Sequence, residues 1–116
     1  MKKFYLFLFI ALAWTISASA QVPAFPGADG YGRYTTGGRG GEVYYVTSLE
    51  DTDTPGTLRY GVTHLSKVTI LFKVSGTIQL NSSLNIRGSN ITIAGQSAPG
   101  DGICLAGYPV SVSGSN

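Results

Sequence analysis

Val68-Thr-Ile-Leu-Phe-Lys-Val74, Ser89-Asn-Ile-Thr-Ile-Ala94 and Tyr108-Pro-Val-Ser-Val-Ser113 are three short runs of alternating apolar and polar residues, each closed by Gly, Ser or Asn. Alternation with a period of two turns one set of side chains toward a single face of a strand. One-strand units that recur in this way mark a stacked β-solenoid, whose turns bury their faces only against their neighbours. The steps from Ile70 to Ile91 (21 residues) and from Ile91 to Val110 (19 residues) predict about one coil per twenty residues. Inward positions are then Val68, Ile70, Phe72 and Val74, followed by the pairs Ile78/Leu80, Leu84/Ile86, Ile91/Ile93, Ile103/Leu105 and Val110/Val112.

The tripeptide Gly88-Ser-Asn90 returns as Gly114-Ser-Asn116, and Val74-Ser-Gly76 partly returns as Val112-Ser-Gly114. Turn residues repeating beside strands suit parallel coils with stacked corners, and Asn suits a corner because it tolerates tight-turn geometry. The pattern is still running at Asn116, so these 116 residues read as the front of a longer stack.

The start of the chain is of another kind. Lys2-Lys3 precede a run dominated by apolar residues from Phe4 to Ile16, and Ala18-Ser-Ala20 supplies small residues before Gln21. This is the three-part layout of a secretory signal peptide over residues 1–20, with cleavage between Ala20 and Gln21. The apolar run is short of the roughly 20 residues of a bilayer span, so the expectation is export, extracellular or periplasmic, with no membrane attachment once the leader is gone. Without Lys2 and Lys3, six basic residues (Arg33, Arg39, Arg59, Lys67, Lys73, Arg87) face six acidic ones, and the formal charge of +2 disappears. A nucleic-acid surface would need a basic stripe, so nucleic acid is not an expected partner.

Residues 21–67 read as an N-terminal cap plus the first strand, and residues 68–116 as the first coils. Residues 22–42, rich in Gly, Tyr and Pro, are expected to be irregular and to lie across an end of the stack, shielding its open edge. Val43-Tyr-Tyr-Val-Thr47 favours a strand. Ser48 to Gly56 is a turn-rich acidic loop, and Thr57 to Val62 suits one helical turn opened by Thr57, which Gly61 keeps short. Cys104, the single cysteine, sits between Ile103 and Leu105 and reads as a buried or half-buried packing residue.

Candidate chemistry is sparse. Thr35-Thr-Gly-Gly-Arg-Gly-Gly41 lacks the Lys-Ser/Thr of a phosphate-binding loop and reads as a turn. Asp51-Thr-Asp53 fails the calcium-loop pattern at its fifth and twelfth positions, which fall on Pro55 and Val62, and reads as a solvated turn. Asp101, the one carboxylate after Thr54, cannot form the acid pair of a glycoside hydrolase and reads as a turn residue. Lys73, Arg87 and the tyrosines are exposed-face candidates for sugar contact. No catalytic residue and no metal ligand is assigned, and the substrate-binding residues are not specified.

Several segments taken together resemble a known family. They are Ala24-Phe-Pro-Gly-Ala-Asp-Gly-Tyr-Gly32, Thr36-Gly-Gly-Arg-Gly-Gly41 with Val43-Tyr-Tyr-Val-Thr47, Pro55-Gly-Thr-Leu-Arg59, Phe72-Lys-Val-Ser-Gly-Thr-Ile78 and Ile91-Thr-Ile-Ala-Gly-Gln-Ser-Ala-Pro-Gly-Asp-Gly-Ile103. In this order they resemble the start of a secreted bacterial pectate lyase. The resemblance implies an all-β, right-handed, single-stranded parallel β-helix that cleaves pectin or polygalacturonate by β-elimination. It further implies that calcium assists and that an arginine acts as general base. No position here matches the family's calcium-binding Asp cluster or that arginine, so the expectation is a fragment inactive by itself, with its chemistry beyond Asn116. The alternatives are another β-helical polysaccharide lyase or hydrolase, and a non-catalytic exported solenoid that binds carbohydrate.

Overall fold

A computed structural model describes residues 20–114. The expected leader, apart from Ala20, therefore lies outside the described residues, as do Ser115 and Asn116. Ala20 and Gln21 are both exposed and lie outside any helix or strand.

Among the described residues the regular elements are mostly strands. After the irregular N-terminal segment come β1 (Glu42–Val46) and one short helix, α1 (Leu58–His64). Then follow β2 (Val68–Phe72), β3 (Gly76–Gln79), β4 (Leu84–Ile86), β5 (Ile91–Ala94), β6 (Ile103–Ala106) and β7 (Val110–Val112), with a 3₁₀ turn at Gly95–Ser97. The strands fall into three sheets, β1-β2-β5, β3-β6 and β4-β7. All four strand pairings are parallel, as the repeated corners predict. From β2 onward the chain visits the three sheets in turn and then visits them again in the same order.

The register corrects the expected repeat spacing. Glu42 pairs with Val68, 26 residues on, and Val68 pairs with Ile91, 23 on. Gly76 pairs with Ile103, 27 on, and Leu84 with Val110, 26 on. The run Tyr108–Ser113 is thus not the next layer above β5. Its strand stacks on β4, in a different sheet, because each circuit contains three short strands of similar composition rather than one.

Inward alternation is clear in β2, β3 and β4. Val68, Ile70, Phe72, Ile78, Leu80, Leu84 and Ile86 are buried, and Val46, Leu58 and Val62 join them in one core. Each such side chain contributes about 1.5–3 kcal/mol relative to exposure. Ile93, Leu105, Val110 and Val112 lie at equivalent positions yet are 36–74% exposed, because among the described residues nothing stacks upon β5, β6 and β7.

The helix forms as expected and runs one residue pair further. Thr57 caps it, its hydroxyl accepting from Tyr60 N–H, while Leu58, Gly61 and Val62 face the core. Gly61 has a packing reason as well. A Cβ there would sit 2.7 Å from Tyr44 Cε1.

Of the glycine-rich segment expected as a cap, the run Gly37–Gly41 is the part whose contacts with the sheet are clear. It runs along the outer side of β2 and β5, where Gly38 N–H donates to Thr92 Oγ1 at 2.9 Å. A Cβ on Gly38 would collide with the Val68 carbonyl oxygen, and one on Gly41 with the Lys67 carbonyl oxygen. Only glycine permits so close an approach of two backbones.

Candidate functional site

The strongest polar constellation joins the acidic loop, α1 and the turn after β3. Arg59 donates from Nε to Asp51 Oδ1 at 2.8 Å and from Nη2 to Asp51 Oδ2 at 2.7 Å. Its remaining donors reach the carbonyls of Ser82 and Ser83 at 2.9 and 3.3 Å. Asn81 N–H donates to Asp51 Oδ2 at 2.7 Å, and Asn81 Nδ2 donates to the Asp51 carbonyl at 3.1 Å. The Asp51 side chain is 1% exposed. Its reading as a solvated turn residue is therefore wrong: the carboxylate is the hub of a buried knot. Hydrogen bonds from Arg59 hold the Asp51 carboxyl below the usual range, and the same pairing raises Arg59 above its ordinary value.

Around this knot lie two aromatic features. Tyr44 hydroxyl accepts from Gly56 N–H at 2.7 Å and donates to the Thr57 carbonyl at 2.9 Å. Burial raises its pKa. Tyr60 stacks between Tyr44 and His64, with ring centroids 6.2 and 4.7 Å apart. His64 Nε2 in turn lies 2.8 Å from Asp53 Oδ1, both side chains about half exposed.

The remaining sequence candidates are scattered rather than convergent. Asp101 is exposed in a turn between two glycines of positive φ, Gly100 and Gly102. Lys73 Nζ stands 4.1 Å above the centre of the Tyr45 ring, an arrangement that holds the cation on the outer surface of the first sheet. Arg87 is exposed beside β4. Cys104 corrects a further expectation: it is exposed, not packed. In its strand Cys104 pairs with Thr77 on the outer face, while Leu105 pairs with the buried Ile78. The glycine run has donors already engaged within the protein. Its Gly38 N–H is committed to Thr92, and Arg39 donates to the carbonyls of Pro23 and Ala24 at 2.7 and 3.2 Å.

These donors do not fit a calcium cage of six to eight oxygens. Both Asp51 carboxylate oxygens are already bonded, Asp53 faces His64 and Asp101 stands alone in its turn. Among the described residues no three His, Cys, Asp or Glu side chains gather around one point. The knot is structural, and sequence reasoning missed it because Asn81 lies thirty residues from Asp51.

Comparison with known proteins supplies what the geometry does not. Over 104 residues, 90% of this chain, it is 41% identical to a protein named probable pectate lyase C of Emericella nidulans. The same identity holds over 106 residues, 91% of the chain, with the probable pectate lyase C of Aspergillus fumigatus. The chain is similar to pectate lyases. A plant protein, pectate lyase 1 of Hesperocyparis arizonica, is 46% identical over 72 residues, 60% of this chain and 19% of its own length. These relatives are fungal and plant proteins rather than bacterial ones. The chain spans about a quarter of the length of the fungal relatives, 24% in each case. No family model matches it.

Proposed function

We propose that this chain is the N-terminal part of an exported pectate lyase, built on a right-handed single-stranded parallel β-helix, that cleaves polygalacturonate by calcium-assisted β-elimination. The observation that carries the reading is the 41% identity to named pectate lyases across nine-tenths of the chain. The fold supports it from an independent side. Parallel pairings at 23–27 residues, visiting three sheets in rotation, are what coils of a β-helix require.

The contribution of these residues is then scaffolding. They begin the stack, cover its first coil with α1 and leave the apolar faces of β5, β6 and β7 for the coil above. Calcium and the proton-abstracting group belong, in this reading, to the part of such a protein that corresponds to the other three quarters of its relatives. The 116 residues alone are accordingly inactive, and the leader over residues 1–20 directs export.

The test compares two proteins on polygalacturonate, with and without a chelator: this chain alone and the longest natural product that contains it. Ultraviolet-absorbing unsaturated oligogalacturonates from the longer protein, abolished by chelation, are the expected outcome, with none from the chain alone. Hydrolysis to saturated products that survives chelation would overturn the lyase assignment. Sugar binding without turnover in the longer protein would instead favour a carbohydrate-binding solenoid.

A further inference from the structure

The outer side of β4 carries a shallow cleft of about 260 Å³, lined by Arg59, Thr63, Ser83, Asn85 and Arg87. Leu84 and Ile86 point into the core, so Asn85 and Arg87 point out, and Asn85 shares that face with its register partner Ser111. The two arginines differ in state. Arg59 is neutralised by Asp51 and anchored on the carbonyls of Ser82 and Ser83. Arg87 is exposed, and among the described residues no carboxylate lies within ion-pair distance of it. The cleft therefore presents one uncompensated guanidinium fork beside a hydroxyl, a carboxamide and a second hydroxyl.

The geometry points to a binding site for a uronate residue of an acidic polysaccharide, its carboxylate on Arg87 and its ring hydroxyls on Asn85, Ser83 and Thr63. A guanidinium matches a carboxylate with two parallel hydrogen bonds, and amide and hydroxyl groups serve both as donors and as acceptors to sugar hydroxyls. The volume is below the roughly 300–1,000 Å³ of pockets that enclose a small ligand. The cleft thus holds a sugar of a chain lying across it rather than a whole molecule. This site rests on the pectate lyase reading for the identity of the uronate. It requires no metal, and it sets a second point of attachment on the scaffold.

The experiment titrates the full chain, in chelator, with an oligogalacturonate and with a neutral galacto-oligosaccharide of equal length, by calorimetry. Binding of the acidic ligand alone is expected, weakened about tenfold by Arg87→Gln, in line with loss of a charged hydrogen-bonded pair. Arg33→Gln removes the same charge elsewhere, in the exposed N-terminal segment, and is expected to leave binding unchanged. Equal weakening by both substitutions, no effect of Arg87→Gln, or equal binding of the neutral sugar would each overturn the site. Thermal melts of the two variants, both at exposed positions, are expected to match the parent. Lyase activity of the longer protein is scored separately, so that the family reading can stand while this site fails.

Discussion

Replacing Gly61 with alanine sets two effects of known size against each other. Gly61 lies inside α1, where alanine is ordinarily better by about 1 kcal/mol. Packing opposes this gain. The new Cβ would lie 2.7 and 2.8 Å from Cε1 and Cδ1 of Tyr44 and 3.3 Å from Ile70 Cδ1. A tyrosine ring can often swing aside, but this one is pinned by its hydroxyl to Gly56 N–H and the Thr57 carbonyl. Forcing an extra methyl into a filled site costs about 1–3 kcal/mol, and each hydrogen bond lost as Tyr44 moves adds about 1 kcal/mol. The expected net effect is a destabilisation of about 1–3 kcal/mol, opposite in sign to helix propensity. Urea denaturation of the full chain, parent against Gly61→Ala, measures it. A smaller side chain at position 44 should remove the conflict, so in a Tyr44→Leu background the same substitution should become neutral or stabilising. An unchanged or raised stability in the parent background would refute the packing argument.

Asp51→Asn keeps the shape of the hub but not its charge, and should cost about 2–3 kcal/mol at neutral pH. That is below the 3–5 kcal/mol of a wholly buried pair, because Arg59 keeps two carbonyl partners and is 18% exposed. Because the folded Asp51 carboxyl is held low, its contribution is fully present above the unfolded carboxylate value of about 3.9. It is lost as pH falls through the lower folded value, so denaturation curves of the parent should steepen in that acid window and those of Asp51→Asn should not. Gly38→Ala meets backbone rather than a mobile side chain and should cost about 3 kcal/mol; hydrogen exchange should show residues 36–41 losing protection first, and an intact strap would refute the contact. Thr57→Val removes the one hydroxyl that donates toward the Thr52 and Thr54 carbonyls and caps the helix, for about 1–2 kcal/mol by thermal melt.

What could be read of the site from the sequence was limited by distance along the chain. The Thr57 cap and the short helix were legible because capping is local: the hydroxyl and the N–H it serves are three residues apart. The role of Asp51 was not, since its burial depends on Arg59 turning toward it from a helix and on Asn81 arriving from the far end of β3. One cue was present. Leu58 and Val62 form the apolar face of a single helical turn, which obliges Arg59 to lie near its rim, beside the only acidic loop. Cys104 failed for a different reason: its apolar neighbours Ile103 and Leu105 suggest burial, yet in a strand neighbours face the opposite way.

The fold shows the same contrast between two signals of one sequence. Spacing measured between strand-like runs gave about twenty residues, because Ile70, Ile91 and Val110 look alike though only the first two share a sheet. Spacing between the repeated tripeptides Gly88-Ser-Asn90 and Gly114-Ser-Asn116 is 26, the register offset of β4 with β7 and of β1 with β2. The physical basis is close backbone approach at the corners. A Cβ on Gly114 would strike the Gly88 carbonyl oxygen, and Ser113 N–H donates to the Ile86 carbonyl at 3.0 Å. Lys67 and Asn90, one before β2 and one before β5, repeat the point in another corner, both with positive φ. Strand composition is interchangeable around a coil because every strand needs only an apolar inner face. A corner must fit the one corner beneath it, so its residues carry the period that the strands conceal.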